Sequence, residues 1–365
     1  MLRLLKLLVL VIMVSSANAV EVTDLYQAKV AVISQIKKDR DQAIKHAMQA
    51  VLLKVGGQSS ILSNKTIKQG LKNYQQYLIQ FSYLKKNGQA QLLASFHEEK
   101  INRLFQQANL PLWGNLRPQV LLWLVEEKGL KRVVISESSA TQYPQLIDDF
   151  SQLRGLPVSL PLMDLTDLES ISTADVWGRF AAPIKMASTR YQAETYVVIR
   201  LSNSSLLPPA DDNSECDLLC RQDNYVVDWR LFTQDQAMEQ SSSAQPYQGN
   251  DEKALLQQAL TDVTQEIYQY YALSTNDSRQ IEIEVANVNS MQQYIEVCKF
   301  LENLSSVDTV KLTWAQGEKR RFRLHLLGSE KSLLASLRLN KQLQQYIDPL
   351  ADVIENAIAV FYWKE

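Results

Sequence analysis

The polar and aromatic side chains best suited to chemistry lie within one stretch in the middle of the chain. They are Asp164, Asp167, Asp175, Trp177, Arg179 and Arg190. If residues 157–160 form a strand, the first two aspartates come just beyond its carboxyl end, where ligands dock in open α/β sheets. An indole can stack on a sugar or an aromatic group, and a guanidinium can pair with a carboxylate. The stretch therefore predicts a ligand-binding site.

The same residues also have a structural interpretation, which the sequence leaves open. Asp164 and Asp167 are suitable caps for the next turn or helix, because a carboxylate accepts the free N–H groups at a helix start. The nearby arginines would then neutralise the two acids. A cap and a ligand site predict the same residue types, so spacing alone does not separate them.

The sequence contains no complete catalytic signature. There is no Gly-x-Ser-x-Gly turn and no glycine-rich phosphate loop, and the three histidines fall in separate regions, unlike the ligands of a zinc site. Two acids make a glycosidase only when their carboxyls are held apart across a cleft. We therefore predict no catalytic residue, metal or cofactor, and the sequence favours a protein that is not an enzyme.

The first nineteen residues are typical of a secretory signal peptide. Arg3 and Lys6 precede the apolar run 7–14, and the small-residue motif Ala17-Asn18-Ala19 follows. The run is too short to cross a bilayer, so the pattern predicts cleavage after Ala19 and export. We expect a periplasmic mature protein without a membrane span.

The charge of the chain limits the classes of partner that it is expected to bind. The leader holds two of the 38 basic residues and none of the 40 acidic ones, so the mature chain has a formal charge of 36 − 40 = −4. This balance gives no general attraction to nucleic acid, and a protein of the envelope is the expected partner. The basic cluster at residues 319–323 is either a solvated strand face or a phosphate site.

Cys216 and Cys220 are close in sequence and lie in a polar segment. In an oxidising compartment such a pair predicts a local disulfide. The third cysteine, Cys298, falls on the apolar side of a predicted helix, so we expect a buried free thiol there.

The pattern of apolar residues predicts a multidomain α+β and α/β protein. After the signal peptide (1–19) come a small α+β domain (20–113, order β-α-α-β-β-α), a three-layer α/β domain (116–272) and a ferredoxin-like βαββαβ domain (279–365). Residues 120–125 are continuously apolar, which is typical of a strand covered on both faces. Trp113, between the first two domains, either wedges into their interface or grips a glycan.

Four segments together carry a family resemblance. They are the helix from Ala43 to Gly57 ending in Lys-Val-Gly-Gly, the run from Ala108 to Pro118, the run from Arg154 to Leu165, and Asp175-Val-Trp-Gly with Arg190-Tyr191. They resemble an uncharacterised family of exported gammaproteobacterial proteins, domain of unknown function 2066, over residues 20–275. The resemblance implies export from a Gram-negative cell and implies no activity or catalytic residue.

Export, small domains in series and the incomplete catalytic sets favour a non-enzymatic accessory or protein-interaction protein of the cell envelope. The alternative is a periplasmic ligand-binding protein or hydrolase acting on envelope glycan or peptide. That alternative is centred on Asp164, Asp167, Trp177 and Arg179.

Overall fold

The computed structural model has mixed α and β structure with three sheets. It describes residues 22, 24–86, 88–206, 224–233, 245–271, 280–304, 307–326, 333–334, 337, 342–345 and 358–364. The predicted signal peptide and the predicted Cys216–Cys220 disulfide lie outside these residues. Within them, no helix is both long and apolar enough to cross a membrane.

The first sheet is antiparallel and has the strand order β1-β3-β2. The elements of this unit are β1 (Gln27–Ala31), α1 (Lys37–Gly56), α2 (Lys65–Lys72), β2 (Leu78–Lys86), β3 (Gln89–Phe96) and α3 (Glu98–Gln107). The order β-α-α-β-β-α is the one that the sequence predicts. Asn64 caps α2 by accepting hydrogen bonds from the backbone N–H groups of Thr66 and Ile67. The sequence predicts a first strand over residues 22–35, but only five of these residues, Gln27–Ala31, pair with β3.

The second sheet has the order β5-β4-β7-β8-β9, and a short sixth strand pairs with the start of β4. Its strands are β4 (Val120–Lys128), β5 (Lys131–Ile135), β6 (Val158–Ser159), β7 (Thr195–Ser202), β8 (Tyr225–Thr233) and β9 (Tyr247–Gly249). The helices of this unit are α4 (Tyr143–Arg154), α5 (Leu165–Ser170), α6 (Thr173–Gly178), α7 (Ala181–Ser188) and α8 (Glu252–Tyr271).

Strand β4 is buried on both faces, which confirms the prediction from its continuous apolar run. Leu122 and Leu124 belong to a core that α4 and α8 complete, whereas Leu121 and Trp123 belong to a second core completed by α6 and α7. Alternate residues of a strand point to opposite faces, so the sheet lies between two sets of helices. The Trp123 indole N–H donates to the Ser188 hydroxyl at 3.0 Å, which satisfies the one polar atom of that buried ring.

The sequence predicts one helix near residues 173–190, and the structure shows that this prediction is wrong. The structure has α6, then α7, then a 3₁₀ turn over Thr189–Tyr191. The interruption is at Arg179, whose backbone is left-handed with φ 55°, and at Phe180, which is extended. Neither conformation continues an α-helix, so α7 starts in a new direction.

The third sheet has the order β11-β12-β10-β14-β13. Its elements are β10 (Gln280–Ala286), α9 (Met291–Glu302), β11 (Val307–Gln316), β12 (Lys319–Leu326), β13 (Leu343–Gln345) and β14 (Ala359–Trp363). Leu333 and Leu337, in the second helix predicted for this unit, are buried in its core. Most of that predicted helix lies outside the described residues.

The end of this unit departs from the predicted ferredoxin-like βαββαβ sandwich. Strand β13 is not predicted by the sequence pattern, and it forms an antiparallel pair with β14. Strand β14 runs parallel to β10, whereas the ferredoxin-like sheet is antiparallel throughout. The extra strand reverses the chain once more before the last strand enters the sheet, and this reversal explains the parallel pair.

The first two units share a tightly packed junction. Trp113 is buried in the core of the second unit and meets the Tyr268 ring edge to face, with 5.7 Å between ring centroids. The Tyr268 hydroxyl donates to the carbonyl of Pro111 at 3.0 Å. These contacts confirm the prediction that Trp113 wedges into the interface.

Arg117 is the polar centre of this junction and is completely buried. Its guanidinium donates to the backbone carbonyls of Gly114, Arg154, Gly155, Lys54 and Trp113 over distances of 2.7–3.3 Å. A guanidinium has five N–H donors, so the described bonds account for all of them. Burial lowers the pKa of Arg117, whereas the five carbonyl oxygens favour its charged form.

Candidate functional site

Asp164 and Asp167 lie in one ion-paired group with Arg190 and Tyr191. The Arg190 Nη1 donates to Asp164 Oδ1 at 2.6 Å and to Asp167 Oδ1 at 2.9 Å, and Nη2 donates to Asp164 Oδ2 at 2.9 Å. Asp164 is also the N-cap of α5, since its carboxylate accepts the backbone N–H of Asp167 at 3.1 Å. The structure therefore brings these predicted residues together in the arrangement that the capping interpretation describes.

Asp167 is fully buried. Its Oδ2 accepts the Tyr191 hydroxyl at 2.5 Å and the backbone N–H of Met163 at 2.8 Å, and the Met163 backbone is left-handed with φ 53°. Burial and the hydrogen bond to Asp167 raise the pKa of Tyr191 to about 12. The carboxylate thus holds together a strained loop, a tyrosine and an arginine.

Asp164 and Asp167 follow β6 along the chain, and β6 pairs in parallel with the start of β4. Arg190 and Tyr191, which bind the two acids, lie in the 3₁₀ turn that comes before β7. The acids therefore come after the carboxyl end of a short strand, as the sequence predicts, but their carboxylates are held by these two side chains.

Asp175 does not join either acid. Its carboxylate accepts the hydroxyl and the backbone N–H of Ser172, and the Ser172 hydroxyl accepts the N–H of Asp175 in return. This reciprocal arrangement is a capping box at the start of α6. The hydrogen bond from the Ser172 side chain lowers the pKa of Asp175.

Trp177 and Arg179 belong to a second group, which lies at the carboxyl ends of β4 and β7. Trp177 is 9% exposed. The guanidinium carbons of Arg132 and Arg200 lie over its ring at 4.3 and 5.2 Å from the centroid. Because the indole is buried beneath these cations, it has little surface left to stack on a sugar.

Asp228 is the anionic centre of this second group. Arg200 pairs with its carboxylate through two N–H donors and also donates to the Trp177 carbonyl at 3.1 Å. Arg179 approaches the same carboxylate at 3.4 Å. We call Arg132, Trp177, Arg179, Arg200 and Asp228 the arginine–tryptophan group.

Three residues of this group, Arg132, Arg200 and Asp228, were not among the site residues predicted from the sequence. Arg200 and Asp228 each lie within a mostly apolar strand, and they are directly opposite in the register of β7 and β8. One cation and one anion at the same depth of two neighbouring strands are the signal that predicts such a pair.

The described residues show how little acid–base chemistry these groups offer. The hydrogen bonds from Arg190 hold the pKa of Asp164 at about 2, below its usual range, so the group is an anion rather than a proton donor at neutral pH. Among the described residues, no three histidine, cysteine, aspartate or glutamate side chains are placed to hold a metal ion. Both groups join charges in pairs, which stabilises the loops around the sheet.

The depressed pKa of Asp164 predicts a pH dependence of stability. Its folded pKa lies below the unfolded value of 3.8, so the stabilisation is complete above about pH 4 and is lost as the pH falls towards about 2. A carboxyl-carbon NMR titration should show Asp164 titrating near the lower value. In R190Q the midpoint should move back towards 3.8, and an unchanged midpoint in that variant would contradict the assignment.

Two further predictions concern the third unit. Cys298 is a free thiol, but it is half-buried rather than buried, and desolvation raises its pKa. In the basic cluster, Arg321 and Arg323 pair with Glu284 and Glu282, which face them across β10 and β12. Because these two arginines already pair with carboxylates, the structure favours a solvated strand face over a phosphate site at the basic cluster.

Two uncharacterised domain families match the chain. Residues 281–350 match the model of DUF2066. This match confirms a resemblance to DUF2066, but it covers residues of the third unit and none of residues 20–275, on which the sequence resemblance rests. Residues 19–114 match a different model, Domain of unknown function (DUF8605). No curated protein matches the chain. The DUF2066 region contains β10 to β13 and ends before β14.

Proposed function

We propose that this chain is a non-enzymatic accessory of the cell envelope, located in the periplasm, that acts by binding an extended segment of another protein. The observation that carries the proposal is the outer edge of β2. This strand has nine residues and ends the first sheet, and no described strand pairs with its outer side. An unpaired edge offers a row of backbone donors and acceptors to an incoming strand.

Apolar side chains accompany this edge. Ile79 is 54% exposed and Phe81 is 39% exposed, and Leu84 is also exposed. Phe81 meets Tyr83 edge to face at 6.0 Å, and the Arg40 guanidinium lies 5.7 Å from the Phe81 ring. In the register with β3, Phe81 lies on the face of the buried Ala94, whereas Leu84 lies on the other face. A partner strand that pairs with β2 would therefore cover these side chains with apolar residues on both of its faces.

The expected compartment rests on the leader pattern and on the matched domain. The DUF8605 match begins at residue 19, next to the predicted cleavage site after Ala19. Its range, 19–114, supports the proposed first domain boundary at 20–113. The pairing of the described acids with arginines and caps supports a role without catalysis.

The test is covalent capture in the native periplasm. A photoreactive amino acid replaces Leu84, and we expect one specific adduct with another envelope protein, formed by a chain that starts at Val20. I79K should abolish the adduct, since a charge on the strand edge opposes pairing. L312K places the same charge on an exposed residue of β11, the edge strand of the third sheet, and should leave the adduct unchanged.

Thermal melts of both variants establish that they are folded. Absence of a specific adduct, or an adduct equally strong in I79K, would overturn the binding role of β2. A captured chain that begins at Met1 in the cytosol would overturn the compartment.

A second candidate is ligand binding at the arginine–tryptophan group. Its position at the carboxyl ends of β4 and β7 favours this role, because that edge is the usual ligand site of such sheets. A hydrolase that uses Asp164 and Asp167 has less support, since both carboxylates accept hydrogen bonds from Arg190 and Asp164 caps α5.

A further inference from the structure

A groove of about 550 Å³ lies between α4 and α8, on the face of the second sheet opposite α6 and α7. Its walls contain Gln142, Gln145, Leu146, Asp149, Phe150, Leu153, Arg154, Lys253, Gln257 and Thr261. This volume falls within the range of pockets that bind small molecules. None of the residues predicted as a site from the sequence contributes to it.

The groove is elongated because each helix contributes a regular row of side chains. Lys253, Gln257 and Thr261 recur every four residues on α8, so their row spans about 12 Å along the helix axis. An extended peptide rises about 3.3 Å per residue, so the row matches about four residues. A hydrogen bond of 2.5 Å from Gln142 to Glu252 joins the two helices at the beginning of the groove.

Arg154 lies at the opposite end and is 6% exposed. One Nη donates to the carbonyl of Gly57, whereas the Nε is buried without a hydrogen-bond partner among the described residues. No described carboxylate forms an ion pair with Arg154. A buried cation is costly unless an anion or hydrogen-bond acceptors compensate its charge.

The surplus of positive charge extends beyond Arg154. Arg117 and Lys54 are also buried, and side-chain atoms of both lie beside Gly155, the residue that follows Arg154. The one described carboxylate in the group is Asp24, which is 3.7 Å from the Lys54 Nζ and is itself mostly exposed. An anion in the groove near Arg154 would therefore offset an existing imbalance.

The remaining polar side chains suit a peptide. Gln145 and Gln257 offer amides, which can both donate to and accept from peptide groups. Asp149 offers an acceptor for an ammonium group, and it already accepts from Gln145 at 2.9 Å. Leu146, Phe150 and Leu153 supply apolar surface between these polar groups.

We propose that the groove between α4 and α8 binds a short peptide, with its terminal carboxylate at Arg154. The inference is independent of the strand pairing proposed for β2, which lies in another unit. It also requires no reaction, since the site binds and does not transform its ligand.

The test compares two probes on the full mature chain by isothermal titration calorimetry. Tetra-alanine with a free carboxylate should bind, and tetra-alanine amide should bind about tenfold more weakly or worse, because a charge-assisted hydrogen bond is lost. L153E places a competing anion in the groove wall beside Arg154 and should weaken tetra-alanine by a similar factor. Q152E adds the same charge to the neighbouring residue, which does not line the groove, and should leave binding unchanged.

Both substituted positions are exposed, and a thermal melt confirms that each variant is folded. Equal affinity for the acid and the amide, failure of tetra-alanine to bind, or full binding by L153E would each overturn the proposal. Titration with sodium acetate, which has a carboxylate but no peptide group, is the final control. If acetate binds as tightly as tetra-alanine, the site recognises a free carboxylate and the peptide assignment is wrong.

Discussion

Replacing Arg117 by glutamine should lower the free energy of unfolding of the first two units by about 4 kcal/mol. The loss is large because the guanidinium holds five buried carbonyls from both sides of the junction. Glutamine has two N–H donors and cannot satisfy five acceptors. Urea unfolding followed by tryptophan fluorescence measures the change, since the guanidinium carbon of Arg117 lies 4.2 Å from the centre of the Trp113 ring.

Two matched variants separate the causes of this effect. R103Q removes an arginine from the exposed side of α3 and should change stability by less than about 0.5 kcal/mol. R117K keeps the charge but loses the planar fork of donors, so it should recover only part of the loss. A stable R117Q would show that the five carbonyls find other donors, and the junction would then not depend on this residue.

Replacing Asp167 by asparagine should lower the free energy of unfolding by about 3 kcal/mol, because it removes the buried carboxylate of an ion pair and changes the partner of a half-buried tyrosine. Asp167 accepts hydrogen bonds from Arg190, Tyr191 and the left-handed Met163, and an amide cannot supply the same charge to the arginine. Differential scanning calorimetry of the mature chain measures the loss. E169Q, on an exposed residue of the same helix, is the matched control and should be neutral.

The same variant decides between the two interpretations of the acids. A loss of stability in D167N supports the structural role that the hydrogen bonds describe. If D167N melts like the wild type and abolishes a ligand-dependent function in cells, the acids form a binding site. D164N, at an exposed position, should have a smaller effect on stability than D167N.

Periodicity predicted the elements well where burial alone determines them. The apolar run of β4 and the repeat along α8 place each residue on a face, and the two cores match that placement. Asn64 was predictable as a cap because its side chain acts on its own immediate neighbours. These features depend on local chemistry that the sequence displays directly.

Features that depend on the register between strands were not predictable in this way. The pair of Arg200 with Asp228 requires β7 and β8 to be aligned, and the parallel entry of β14 requires β13. The left-handed Arg179 interrupts a predicted helix, although arginine has no preference for that conformation. Its contacts with Asp228 come from a distant strand, and such long-range contacts override local propensity.

The buried guanidinium at the junction of the first two units has a mechanical consequence. A hinge motion between the two units would have to break several hydrogen bonds to backbone carbonyls at the same time. Reorientation of one unit against the other would therefore require local unfolding rather than rigid-body rotation. The edge of β2 and the groove between α4 and α8 are consequently held at a constant separation. A molecule that binds both surfaces at once would have to span a fixed distance between them.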